Sequence, residues 1–156
     1  MPLCARPFLF LTIMTLLVFP TGRPAPAWAD ANEDVAAVRH VLDDQVVAWN
    51  RKDLEGYMAG YWKSPELVFF AGGTGTRGWQ ATIDRYRKRY QGEGKEMGTL
   101  SFSDVSIEGL GPAAVLARGE WRLAMSGGKE LRGLFTVILR RMPEGWRIVH
   151  DHSSGG

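Results

Sequence analysis

The 156-residue chain has one cysteine, Cys4, close to its start. It shows no excess of either charge, with 19 Lys and Arg against 17 Asp and Glu. Its apolar run from Phe8 to Phe19 is 12 residues, well short of the ~20 that span a bilayer. There is no G-x-S-x-G nucleophile elbow and no G-x-G-x-x-G at a strand-to-helix junction; the Gly72-Gly73-Thr74-Gly75 segment is not one. Heptads, internal repeats and collagen-like periods are also missing. These absences argue against disulfide or thiol chemistry, a membrane-spanning helix, serine-esterase chemistry and a dinucleotide cofactor. What remains is ordinary for a globular chain: 45% apolar and 11% aromatic residues, too many large side chains for disorder.

The first 29 residues read as an export signal. Arg6 gives a positive start, Phe8–Phe19 the apolar stretch, and Ala27-Trp28-Ala29 an A-x-A cleavage pattern after a Pro- and Ala-rich segment. The expected location is periplasmic or secreted, with no stable membrane anchor after cleavage. Arg6 and Arg23 leave with that segment while no acid does, so residues 30–156 carry 17 basic and 17 acidic side chains. Net charge therefore offers no case for nucleic acid as a partner. Residues 30–156 make one domain, long enough to bury about two-thirds of its unfolded surface.

Within that domain a helical first half precedes a strand-rich second half. Val35, Val38, Val41, Leu42, Val46 and Trp49 form one helical stripe between Glu33 and Asn50, with Asn32 as N-cap. Asp53 is placed to cap a second helix carrying Leu54, Tyr57, Met58, Tyr61 and Trp62, stopped by Ser64-Pro65. Leu67–Phe70 reads as a strand followed by a Gly-rich turn. A third helix from Gly78 puts Trp79, Ile83, Tyr86 and Tyr90 on one face and Asp84, Arg85, Arg87, Lys88 and Arg89 on a solvated one. Beyond it, Leu100 and Phe102 alternate in one register and Val105 and Ile107 in the other, predicting a bulge near Ser103-Asp104. Strands over 113–125, 131–141 and 146–153, joined by Gly-containing turns, complete an antiparallel meander. The expected class is α+β: three N-terminal helices packed on a curved, mostly antiparallel sheet.

Several segments then carry a resemblance. Trp49-Asn50-Arg51-Lys52-Asp53-Leu54, Tyr61-Trp62, Arg77-Gly78-Trp79, Gly133-Leu134-Phe135-Thr136 and Gly145–Ser154 occur in an order that resembles the SnoaL-like, DUF4440 branch of the nuclear transport factor 2 (NTF2)-like superfamily. The last segment is also similar to the C-terminal strand of the calcium/calmodulin-dependent kinase association domain. The resemblance implies an NTF2-like cone enclosing a pocket, and a homodimer formed through the sheet. It implies no single function, because the superfamily holds ketosteroid isomerase and other enzymes beside non-catalytic modules. Arginines that line the kinase-domain pocket fall here on Glu120, Val137 and Ser153, so an arginine-held ligand of that type is not expected.

Strand parity sorts the closing segment into two faces. Trp146, Ile148, His150 and His152 share one; Arg147, Val149, Asp151 and Ser153 share the other. With the resemblance, this gives a concave face of Glu120, Phe135, Val137, Asp151 and Ser153, walled by Tyr57, Trp62, Trp79 and Tyr86 from the helices. Asp151 and Glu120 are the candidate catalytic carboxylates, since burial raises a carboxyl pKa into the acid/base range. The competing reading pairs them with Arg118, Arg122 or Arg147 in structural ion pairs. His150 and His152 share a face and could meet a metal, but a zinc site needs at least one more protein ligand and the only other histidine, His40, is on the first helix, so no metal and no cofactor are expected. By parity Trp121, Trp146 and Ile148 would lie on the outer face, there to be covered by a second copy of the chain.

Three functions fit these residues. One is an exported module binding a small apolar or aromatic molecule. The others are an isomerase, dehydratase or cyclase using Asp151, and a dimerisation module without chemistry. For the leader, mass spectrometry of protein exported from a bacterial host should give an N-terminus at Asp30, or at Asn32 if Ala29-Asp30-Ala31 is the site cleaved; an intact Met1 would contradict export by this route.

Overall fold

A computed structural model of the protein describes residues 31–155. The expected leader 1–29 and its cleavage site lie outside them. Helix α1 (Ala31–Asn50) is followed by α2 (Leu54–Met58), the hairpin β1 (Val68–Ala71) and β2 (Thr74–Arg77), and α3 (Trp79–Tyr86). A π-helical turn, Arg87–Gln91, extends α3. Four long strands follow: β3 (Thr99–Gly111), β4 (Ala114–Ala124), β5 (Glu130–Met142) and β6 (Gly145–Ser153). They form one six-stranded sheet in the order β2-β1-β6-β5-β4-β3, antiparallel except where β1 runs parallel to β6. The α+β class and the meander are as the sequence predicts. Only α1 and α2 precede the sheet, however, since α3 follows the first hairpin.

The local rules hold with small displacements. Val38, Leu42 and Trp49 of the expected stripe are buried, joined by Gln45 and Ala48, while Val35 is exposed. Asn32 lies inside α1 and does not precede it. Asp53 caps α2 by accepting from the Gly56 N–H at 2.8 Å. That helix ends at Met58, so Tyr61 and Trp62 lie in an extended segment, where Tyr61 bridges to Ile148 of β6. Asn50 ties the end of α1 to β3: its amide donates to the Leu100 carbonyl at 3.0 Å and accepts from the Leu100 N–H at 2.7 Å.

Register shifts in β3 and β6 curve the sheet around α1. In β3 the register shifts between Ser103 and Ser106, and Asp104 takes a left-handed φ of 51°, which Asp tolerates. Gly119 lies across from this bulge, where a Cβ would stand 2.8 Å from the Ser103 carbonyl oxygen. Another shift is in β6. Ile138 pairs with His150 and Leu139 with Ile148, so Val149 has no partner and the alternation changes phase there. This overturns the strict parity expected for β6. Trp146 and Ile148 are 5% and 1% exposed and belong to the core, on the same side as Asp151, whereas His150 and His152 face outward beside Phe70.

The outer apolar patch expected from Trp121, Trp146 and Ile148 is therefore absent. Trp121 is half-buried and donates its indole N–H to the Ser154 carbonyl at 3.1 Å. Large apolar side chains exposed on the outer face include Leu134 and Phe70, 59% and 41% exposed. Trp146→Ala should accordingly lower stability by about 3–5 kcal/mol, the usual result of emptying an aromatic site in a core. Leu134→Ala should change it by less than about 0.5 kcal/mol in the monomer. Urea denaturation of the two variants checks the assignment.

Candidate functional site

The concave face of the sheet, α1, the segment from α2 to Tyr61, and α3 with its π-helical turn enclose a cavity of about 110 Å³ whose exposed lining includes Gly72 and Arg89. An apolar cavity of about 150 Å³ admits a benzene ring, so this space has room for no more than one ring. Trp49 reaches it from α1, held by an N–H bond to the Met97 carbonyl at 2.9 Å. Around Trp49 stand Tyr57, Tyr86 and Tyr90, edge-on, at centroid distances of 5.0, 5.9 and 4.9 Å. Small residues allow the close packing: a Cβ on Gly60 would come within 3.0 Å of Gln45, whose amide donates to the Tyr57 carbonyl. The π-helical turn, wider than an α-helical one, carries Tyr90 onto Tyr86, stacked at 5.9 Å and 25°.

Asp151 of β6 points into this cavity and is 4% exposed. Its Oδ2 accepts from the Tyr61 hydroxyl at 2.7 Å and its Oδ1 from the Ser153 hydroxyl at 2.9 Å. The Tyr57 hydroxyl lies 3.4 Å from those of Tyr61 and Tyr86, making a chain of phenols that ends on the carboxylate. Burial pushes the Asp151 pKa up to about 6, against the opposing effect of the two hydroxyl donors and the weaker one of His152. The same burial, followed by the Asp151 charge, holds Tyr61 well above the usual tyrosine range; Tyr86 is also held well above it. These phenols remain neutral donors. Asp151 can thus exchange a proton near neutral pH with a partner in a water-poor cavity.

Of the residues expected here, Asp151, Tyr57, Tyr86, Phe135, Val137 and Ser153 all line the cavity. Glu120 does not. It lies on the outer face of β4, exposed, because Gly119 and Trp121 take the inward positions. Trp62 and Trp79 are also elsewhere: Trp62 continues the bridge to β6, its N–H bonding the Ile148 carbonyl, and the Trp79 indole N–H bonds the Met58 carbonyl at 2.9 Å. The arginines considered as partners for the acids are engaged otherwise. Arg118 pairs with Glu108, Arg122 with Glu130, and Arg147 donates to the Trp146 and Glu144 carbonyls. Tyr61 is the main residue that sequence reasoning left outside the site, although its spacing of four from Tyr57 was a usable signal. Arg85 and Arg89, expected on a solvated face, border the cavity as well.

The raised Asp151 pKa has a stability consequence. Its unfolded value is near 3.8 and its folded value about 6, so between pH 4 and 6 the native state holds a proton that the unfolded chain has lost. The contribution of Asp151 to stability therefore falls as pH rises through that window, and the full penalty, about 3 kcal/mol, is present above it. Asn keeps the shape without the charge: its amide oxygen accepts from one hydroxyl and its NH2 donates to the oxygen of the other. Asp151→Asn should match the wild type near pH 4 and exceed its stability by up to about 3 kcal/mol at pH 7.5, measured by denaturation at both pH values.

Comparison with known proteins places this geometry. The SnoaL-like domain model matches residues 38–155. An NTF2-like protein of unknown function from Shewanella oneidensis MR-1 is 32% identical, with a TM-score of 0.70 over 79% of this chain and 98% of that one. A ketosteroid isomerase-like protein from Erwinia carotovora atroseptica SCRI1043, at 16% identity, shares the fold with a TM-score of 0.65 over 80% of this chain and 97% of that one. No curated protein matches. The match over residues 38–155, with the 32% identity to the Shewanella protein, leads to one assignment: the chain belongs to the SnoaL-like domain family of the NTF2-like superfamily.

Proposed function

We propose that the protein is an exported NTF2-like module that binds a small, one-ring aromatic or apolar molecule in the cone, with Asp151 meeting the polar group of that molecule. The observation that carries this reading is the combination of an aromatic-walled cavity with a buried carboxylate held by two hydroxyls and by no cation. Export rests on the leader pattern in residues 1–29. A homodimer through the outer sheet face is part of the proposal, supported by the exposed Leu134 and Phe70. The near-zero formal charge of residues 30–156 weighs against nucleic acid as partner. Among the described residues no helix is long and apolar enough to cross a membrane.

A second reading, acid/base catalysis of the isomerase, dehydratase or cyclase kind, is favoured by one feature. A structural carboxylate is normally paired with a cation, and Asp151 instead sits unpaired among phenols with its pKa raised to about 6. Tyr61 would steady the developing charge on Asp151 or pass a hydrogen bond along the tyrosine chain. A thermal-shift screen of single-ring compounds on residues 30–156 tests binding, because a ligand of the native state raises its melting temperature. For any compound that is also turned over, Asp151→Asn should lower kcat by about 10²–10⁴-fold while the protein stays folded and still binds. Unchanged turnover in that variant would leave binding alone.

A further inference from the structure

Two cations border the cavity at its mouth, and among the described residues neither has a counter-anion. Ion pairs among the described residues engage Arg77, Arg87, Arg118, Arg122 and Arg141, but not Arg85 or Arg89. Arg85 is half-buried and fixed by neutral acceptors: the Ala71 carbonyl at 2.7 Å, the Thr74 carbonyl at 3.2 Å and the Thr76 hydroxyl at 3.0 Å. Its guanidinium also lies over the Phe69 ring at 5.5 Å. These contacts aim the group without neutralising its charge. Arg89 is exposed, 5.4 Å over the Tyr90 ring. Arg87, between them in sequence, is by contrast bound to Glu55 and Asp84.

The two arginines and Asp151 line one space, Arg89 exposed and Asp151 buried at 4% exposure. The connection runs through aromatic side chains: Arg89 over Tyr90, Tyr90 stacked on Tyr86, Tyr86 beside Tyr57, and Tyr57 to Tyr61 and the acid. A ligand fitting this space has a ring in the middle, an anionic group outward and a hydrogen-bonding edge inward. The mouth is open beside Gly72, where an added Cβ would meet nothing within 4 Å.

Resting on the binding reading above, we propose that the ligands of this pocket are small aromatic carboxylates. The carboxylate is held at the mouth by Arg85 and Arg89, and the ring lies against Tyr86, Tyr90 and Trp49. Guanidinium suits a carboxylate because its planar fork donates two parallel N–H bonds, and charge-assisted bonds of this kind exceed neutral ones. Arg85 supplies the fixed, partly desolvated charge and Arg89 the one that closes over the bound anion.

The test compares benzoate with its neutral isostere benzamide on residues 30–156, by calorimetry and ligand-observed NMR. Benzoate should bind about tenfold more tightly, and added salt should narrow the difference, since Arg89 is solvent-facing. Arg89→Gln, at an exposed position that should not disturb folding, should weaken benzoate about tenfold and leave benzamide unchanged; Arg89→Lys should restore part of the loss. Equal affinity for the two probes, or a benzoate preference untouched by Arg89→Gln, would overturn the carboxylate inference while the pocket reading stands. Binding of neither probe, nor of any other single-ring compound, would bring down both.

Discussion

The site depends on one register shift in the last strand. A regular β6 would put Trp146 and Ile148 on one face and Asp151 on the other, because side chains alternate. The unpartnered Val149 changes the phase, so the core-forming Trp146 and Ile148 and the acid all face inward within six positions. The hydrophobic effect anchors the first two, and the bulge then forces Asp151 to follow them out of water. The shift also sends His150 and His152 to the outer face beside Phe70, away from the cavity. A displacement of one residue thus decides which side chains can do chemistry.

Burying a carboxylate is unfavourable, and its surroundings offset only part of that cost. Tyr61 and Ser153 replace two of the hydrogen bonds lost from water, which pulls the acid back towards ionisation, but desolvation remains the larger effect. A nearby arginine would have stabilised the fold more, and would have fixed the carboxylate as permanently charged. The arrangement keeps the acid poised instead. Among the described residues no buried side-chain nitrogen or oxygen lacks a hydrogen-bond partner, so the strain of the site is electrostatic and not a defect of packing.

The aromatic wall is similarly economical. Trp49 is fixed by α1, and three tyrosines arrange their edges around it, while the hydroxyls of two of them, Tyr86 and Tyr57, lead through Tyr61 towards Asp151. The rings therefore serve as core and as cavity lining together, with polar tips in reach of one another. The widened turn after α3 contributes by bringing Tyr90 into the stack and leaving the guanidinium of Arg89 at the rim.

Sequence alone determined the secondary structure closely, because period and capping are local properties. The stripe Val38, Leu42 and Trp49, the Asp53 cap, the switch of parity near Asp104 and the turn at Ser126–Lys129 could all be read directly. It also placed Tyr57, Tyr86, Phe135, Val137, Asp151 and Ser153 around one space, the strand residues through alternation and resemblance together. Tertiary structure decided the rest. Nothing local marks Val149 as unpaired, since the bulge arises from how β6 must pair with β5 while still reaching β1 and Tyr61. Glu120 looked like a site acid until the inward phase of β4 was set by Gly119 and Trp121 across from β3 and β5. Arg85 and Arg89 looked solvated because a helix's own pattern separates charged from apolar positions, but only the neighbouring β1–β2 hairpin determines that one edge of that charged face borders a cavity.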